Sequence, residues 1–222
     1  MAGLDLAIVA QKSEAKNGEQ LVRVTMRSGT SWDVLHAQGT VRLGTRYETA
    51  QPSAQDLELG TYPRSMDEVY ENGLLFHGED FQGIQSVAGY GEGGIDVQVK
   101  PAPAPTQWIA KPRRRKWVCD PLVLDCAFQA MILWSFETHK AGSLPVAFKQ
   151  FTQYQSSWPK GDVIVRSRIT KHSAHGATAS IEFIHAQQQT LLAKIEEYEC
   201  VIDASLNDAF ERSQLTREPL NS

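Results

Sequence analysis

The chain has 222 residues, 41% of them apolar and 22% charged, with a formal net charge of −4. That balance describes a soluble globular protein with room for one large domain or two small ones, and it gives no support for nucleic-acid binding. No apolar run reaches the roughly 18 residues of a membrane span, and MAGLDLAIVAQKSEAK lacks a basic region followed by a signal-like core, so a cytoplasmic location is expected.

The first 45 residues read as β-structure. LDLAIVA (4–10), EQLVRVTMRS (19–28) and SWDVLHAQGTVRL (31–43) are rich in Val, Leu and Ile. In the second of these, Leu21, Arg23 and Thr25 alternate with Val22, Val24 and Met26, the period of a strand with one buried face. Lys16-Asn17-Gly18 and Ser28-Gly29-Thr30 supply turns between them. The three strands form a meander, which leaves one face wet unless it joins a larger sheet. Residues 46–62 are polar and turn-rich and read as a linker.

A short helix follows, with Ser65 and Glu68 as a capping box and Gly73 just past its end. Strands are expected near 81–90 and 94–100, then an irregular Pro-rich connection, PAPAPTQWIAKPRRRK (101–116). Its Lys111-Pro112-Arg113-Arg114-Arg115-Lys116 cluster reads as a solvated loop, with an anionic partner as the other reading. Asp120-Pro121 opens the one long helix, Asp as N-cap and Pro at the first helical position. It runs to about His139 and is closed by Ala141-Gly142. Four strands follow: 144–155, 162–172, 177–186 and 190–203. The tail 205–215 is weakly helical and expected to be peripheral. A long apolar helix followed by an antiparallel sheet that wraps it is an α+β layer. Cys119, Cys126 and Cys200 are too few and too badly spaced for a disulfide framework or a zinc site.

Inside that helix the run VLDCAFQAMILW (123–134) holds an acid, Asp125, and four residues on Gln129, so both lie on one face. An ionised, unpaired carboxylate in apolar surroundings costs several kcal/mol. Either the pair satisfies itself within the core, or Asp125 is an acid kept protonated by its surroundings, oriented by Gln129 and able to give a proton to a departing hydroxyl.

FHGEDFQGI (76–84), followed by DPLVLDCAFQAMILW (120–134), resembles the dehydratase domains of polyketide and polyunsaturated-fatty-acid synthases. The likeness covers roughly residues 60–203, with 31–43 resembling the last strand of a preceding half. It implies a double hot-dog fold, in which each half is a long helix wrapped by a curved antiparallel sheet. Residues 63–204 would then be the C-terminal hot-dog, 1–45 strands remaining from a truncated N-terminal one, and 205–222 a tail. The implied reaction is a lyase step: elimination of water from a 3-hydroxyacyl thioester carried on the phosphopantetheine arm of an acyl carrier protein, with no other cofactor and no metal. By resemblance Asp125 is the acid and Gln129 its orienting neighbour, while His77, Gly78 and Phe81 line or shape the substrate tunnel. Pro is usual where Glu79 stands.

The family's base lies in H-x-x-x-G-x-x-x-x-P. His172 has Gly176 at +4 but Ile181 at +9, and His36, His77, His139, His175 and His185 lack even the glycine. The chain is therefore expected to be catalytically incomplete, a fragment that starts after the first helix of the family, with a divergent natural protein as the other reading. Its expected partners are an acyl carrier protein, neighbouring synthase domains and a second hot-dog in a homodimer. A non-catalytic module that binds acyl chains or holds synthase domains together is a second reading, and a hot-dog acyl thioesterase a third.

Overall fold

The structure is a computed structural model that describes residues 5–13, 19–53, 57–71, 73–158 and 160–215. The chain divides into two units, Met1–Glu48 and Thr49–Ser222.

The first unit is a three-stranded antiparallel meander of β1 (Ala7–Lys12), β2 (Gln20–Ser28) and β3 (Val34–Leu43), in that order. Val22, Val24 and Met26 lie opposite Val41, Gly39 and Ala37, so the alternation in the sequence sets the register. Gly29, at φ 93°, makes the turn into β3. The Lys16–Gly18 turn lies outside the described residues.

The second unit holds a six-stranded antiparallel sheet wrapped round one helix. Its elements in chain order are α1 (Met66–Glu71), β4 (Ile84–Gly91), β5 (Gly94–Val99), α2 (Pro105–Trp108), α3 (Pro121–His139), β6 (Gly142–Gln153), β7 (Val163–Ser173), β8 (Gly176–His185), β9 (Leu191–Asp203) and α4 (Ser205–Leu215). The strand order is β4-β5-β7-β8-β9-β6. Leu122, Val123, Cys126, Ala127, Ala130, Met131, Leu133 and Trp134 of α3 are buried, which leaves almost no polar face. A helix apolar on all sides must be enclosed, and a curved sheet encloses it. Ile95, Val97 and Val99 of β5, Val163 and Val165 of β7, Ile181 and Phe183 of β8 and Ile195 of β9 complete that core. This is the α+β hot-dog arrangement expected.

Four expectations need correction. Residues 49–53 and 57–62, expected as part of a linker, instead pack on the second unit. The backbone N–H and hydroxyl of Ser53 donate to the Glu182 carboxylate at 3.0 and 2.6 Å, and Gly60 bridges Tyr90. Glu182 is 4% exposed on the sheet and needs such donors, with Lys194 Nζ at 4.0 Å. A polar, turn-rich composition signals the lack of regular structure, not the lack of packing. The tail 205–215 is α4 and is not peripheral. Phe210 is buried, and the Asn207 side chain accepts from Gly142 N–H at 2.8 Å and donates to the Lys140 carbonyl at 3.0 Å. Lys140 rather than Ala141-Gly142 ends α3, in the left-handed conformation at φ 58°, because Gly142 already belongs to β6. The Pro-rich connection contains one helical turn, α2, with Pro105 at its start.

Candidate active site

The site is built where the loop after α1 crosses α3. The Asp120 carboxylate fixes the start of α3: Oδ1 accepts from Leu122 and Val123 N–H, both at 3.0 Å, and Oδ2 accepts from Ala102 N–H at 2.9 Å. Burial raises the Asp120 carboxyl pKa, while those N–H donors pull it down. From this anchor, Asp125 and Gln129 emerge one turn apart.

Gln129 is 0% exposed and every polar group of its amide is used. Its Nε2 donates to Asp125 Oδ2 and to the Phe81 carbonyl, each at 2.7 Å, and its Oε1 accepts from the Tyr70 hydroxyl at 2.8 Å. A carbonyl can only accept, so Phe81 O fixes which end of the amide is nitrogen. Tyr70 accepts in turn from Ile84 N–H at 3.0 Å. Burial raises the Tyr70 phenol pKa, which keeps its proton on for Gln129. Gln129 thus holds the Asp125 carboxylate in one orientation by a fully satisfied buried chain.

Asp125 itself is not enclosed by apolar side chains, as its position in the run suggested. Its side chain is 29% exposed, and His77 Nε2 stands 3.5 Å from Oδ2. His77 is 11% exposed and stacks on Phe76, whose ring packs on Phe210 of α4. Gly78 begins the 3-10 turn Glu79–Phe81, closed by Phe81 N–H donating to Gly78 O at 2.8 Å. That turn presents the Phe81 carbonyl to Gln129. The Phe81 ring points elsewhere, 40% exposed and stacked on Trp108 at 5.4 Å.

Close approach of β4 to α3 makes the crossing possible. A Cβ on Gly83 would lie 2.5 Å from Cys126 Sγ and 2.8 Å from Leu122 Cγ, so only glycine fits. The structure therefore brings Asp125, Gln129, His77 and the Phe81 backbone together. It adds Tyr70, for which the sequence held no signal beyond a tyrosine near the end of a capped helix.

Residues 48–202 match the family model described as polyketide synthase dehydratase N-terminal domain. The chain belongs to the polyketide synthase dehydratase family. It is 24% identical over 191 residues to one of the subunits of the polyunsaturated fatty acid synthase of Thraustochytrium sp., a match that takes in 85% of this chain and 7% of that protein. The chain thus spans a small part of a far longer relative. Among solved structures it resembles a trans-AT polyketide synthase dehydratase domain from Brevibacillus brevis, with TM-score 0.65 and 20% identity over 88% of this chain and 69% of the other. It likewise resembles the dehydratase domain of the CurJ module of curacin polyketide synthase, with TM-score 0.62 and 19% identity over 91% and 69% of the two chains. These likenesses carry the dehydratase hot-dog fold. Among the described residues no helix is long and apolar enough to cross a membrane.

Proposed function

We propose that this dehydratase-family chain supplies the acid half of a site that eliminates water from a 3-hydroxyacyl thioester held on the phosphopantetheine arm of an acyl carrier protein. A base removes the α-proton, the electron pair forms the Cα=Cβ bond, and Asp125 gives its proton to the departing β-hydroxyl, which leaves as water. The observation that carries this reading is the division of labour at the Asp125 carboxylate. Oδ2 is held by Gln129 and faced by His77, whereas among the described residues no hydrogen bond reaches Oδ1. One oxygen is anchored, and the other is left for a substrate on a side chain that solvent reaches. A closed polar network serving only the core would have used both, so the geometry favours catalysis over a purely architectural module.

His77 does not act as the base in this reading. Base and acid must reach the α-carbon and the β-oxygen of one substrate, so the substrate has to lie between them. An imidazole 3.5 Å from the acid and largely covered leaves no such space. His77 instead faces the carboxylate as a positioning neighbour. None of the six histidines stands in H-x-x-x-G-x-x-x-x-P, so in this reading none of them is the base, and residues 63–204 are the half that carries the acid. In the cell the partners are the carrier protein and the neighbouring domains of a cytoplasmic synthase, with a second hot-dog alongside.

The test is turnover of a 3-hydroxyacyl thioester by this chain and by a chain extended upstream. We expect no dehydration from the first, and dehydration from the second that Asp125→Asn abolishes without unfolding the protein. Robust turnover by the present chain, lost in His77→Ala, would overturn the assignment of the base. Hydrolysis of the thioester in place of elimination would point to a thioesterase.

A further inference from the structure

The cationic stretch between α2 and α3 has no role in the chemistry above, yet it is tied to the site by a row of rings. Lys111, Arg113, Arg114, Arg115 and Lys116 put five cations into six consecutive positions of a chain with a net charge of −4. All five are exposed, and among the described residues none is paired with a carboxylate. Surface cations left unpaired keep their field for a ligand.

The position of the loop is fixed at both ends. Trp108, the last residue of α2, stacks on the Phe81 ring at 5.4 Å, and Trp117 packs against Trp108 at 6.1 Å. Trp117 is also held by its indole N–H, which donates to the Pro103 carbonyl at 2.7 Å. Residues 109–116 are therefore a loop whose two feet, Trp108 and Trp117, pack against each other, with Trp108 stacked on the ring of Phe81. The carbonyl of that same residue accepts from Gln129, which holds Asp125. The loop is thus joined, through Trp108 and Phe81, to the residue that holds the acid.

We propose that the 109–116 loop is a docking surface for the acidic face of a carrier protein, the face from which its phosphodiester-linked pantetheine arm projects. This rests on reading the chain as part of a dehydratase with a carrier-bound substrate. The charge fits one occupant in particular. A macromolecule that must deliver a thioester to Asp125 brings an obligatory phosphodiester anion at the root of its arm. Arginine, with a planar fork of donors, binds such an oxyanion bidentately, and three arginines stand in succession here. The aromatic feet hold the loop in place without using any of its charges, so docking need not first order it.

The experiment measures binding of an acyl carrier protein to this chain, by calorimetry, with the carrier in holo form, in apo form and with its acidic surface residues neutralised. We expect saturable binding to the holo carrier that weakens as salt is raised, and that falls about tenfold or more in Arg113→Glu/Arg114→Glu/Arg115→Glu. The acid-neutralised carrier should lose affinity to a similar degree, and the apo form should lose the part owed to the phosphodiester. Carrier binding unchanged in the triple variant overturns the proposal. So does binding of duplex DNA or anionic vesicles through the loop with none of the carrier. A second readout separates this from the functional reading. In the upstream-extended protein, the ratio of turnover on the carrier-bound thioester to turnover on the same acyl group as a free pantetheine thioester should fall about tenfold in the triple variant. If the carrier docks through the loop and no protein dehydrates, docking stands and the dehydratase reading falls. If dehydration proceeds and that ratio is unmoved, docking falls and the reading stands.

Discussion

His77 Nε2 stands 3.5 Å from Asp125 Oδ2, a contact between the loop that follows α1 and the middle of α3. Residues in contact couple energetically, so the effects of replacing each should not add. We expect the His77→Ala and Asp125→Ala variants, singly and together, to show a coupling free energy of about 0.5–3 kcal/mol by urea unfolding. Additive losses would mean that the imidazole and the carboxylate do not sense each other, and that His77 is there only to stack on Phe76.

Tyr70→Phe tests the hydrogen-bond chain from the other end. The substitution keeps the ring but leaves the Ile84 N–H without its acceptor and the Gln129 carbonyl without its donor. Such orphaned buried groups cost about 1–3 kcal/mol. The expected signature beyond stability is kinetic. In an active, upstream-extended protein the turnover number should fall while KM stays near its starting value, because Gln129 is freed to rotate while the substrate's route to Asp125 is unchanged. A drop confined to KM would remove Tyr70 from the positioning of the acid.

Gly83→Ala should be costly for a reason that lies in backbone proximity. The new methyl would meet Cys126 Sγ at 2.5 Å and Leu122 Cγ at 2.8 Å, both within a closely packed core. Overpacking of this kind costs about 1–3 kcal/mol. Combining it with Cys126→Ala should return part of the loss, since the nearest obstacle is then gone. The thermal midpoint of the two variants decides the matter, and a Gly83→Ala protein as stable as the parent would show that β4 can move off α3.

The sequence made the helix around Asp125 legible because three local signals agreed there: Asp120 as N-cap, Pro121 at the first turn, and apolar residues on every face. The strands were legible for the same reason, through alternation and turn residues. What escaped was the packing of irregular chain. Ser53 reads as a linker residue until Glu182, far along the chain, is seen to need its N–H and hydroxyl. Phe210 reads as part of a weak tail until its ring is found on Phe76. At the site, the pairing of Asp125 with Gln129 follows from a spacing of four along a helix. The exposure of Asp125 does not, because it depends on where the edge of the 76–83 loop falls across α3. Tyr70 was invisible because its partners, Gln129 and Ile84, come from elements with no sequence relation to α1.

The cluster at the far end of α3 supports a prediction about acid. His139 packs edge-on against Trp134 at 5.6 Å and lies 5.3 Å from His172, whose Nε2 is 3.4 Å from Glu92 Oε1. Burial holds the His139 imidazole below its ordinary pKa, the neighbouring His172 pushes the same way, and Glu92 opposes them. The folded protein therefore binds this proton less readily than the unfolded chain. Above the unfolded value of about 6.5, both states are neutral at His139 and its full contribution to stability is present. As the pH falls below that value the unfolded chain takes up the proton first, and stability declines until the lowered folded pKa is passed. The thermal midpoint should thus drop as the pH falls through about 6.5, ahead of the carboxylates. His139→Phe should flatten that drop by removing the group. His172→Gln should make the drop smaller, because losing the neighbouring imidazole raises the His139 pKa toward its ordinary value. Parallel slopes for the parent and His139→Phe would assign the acid sensitivity to other groups.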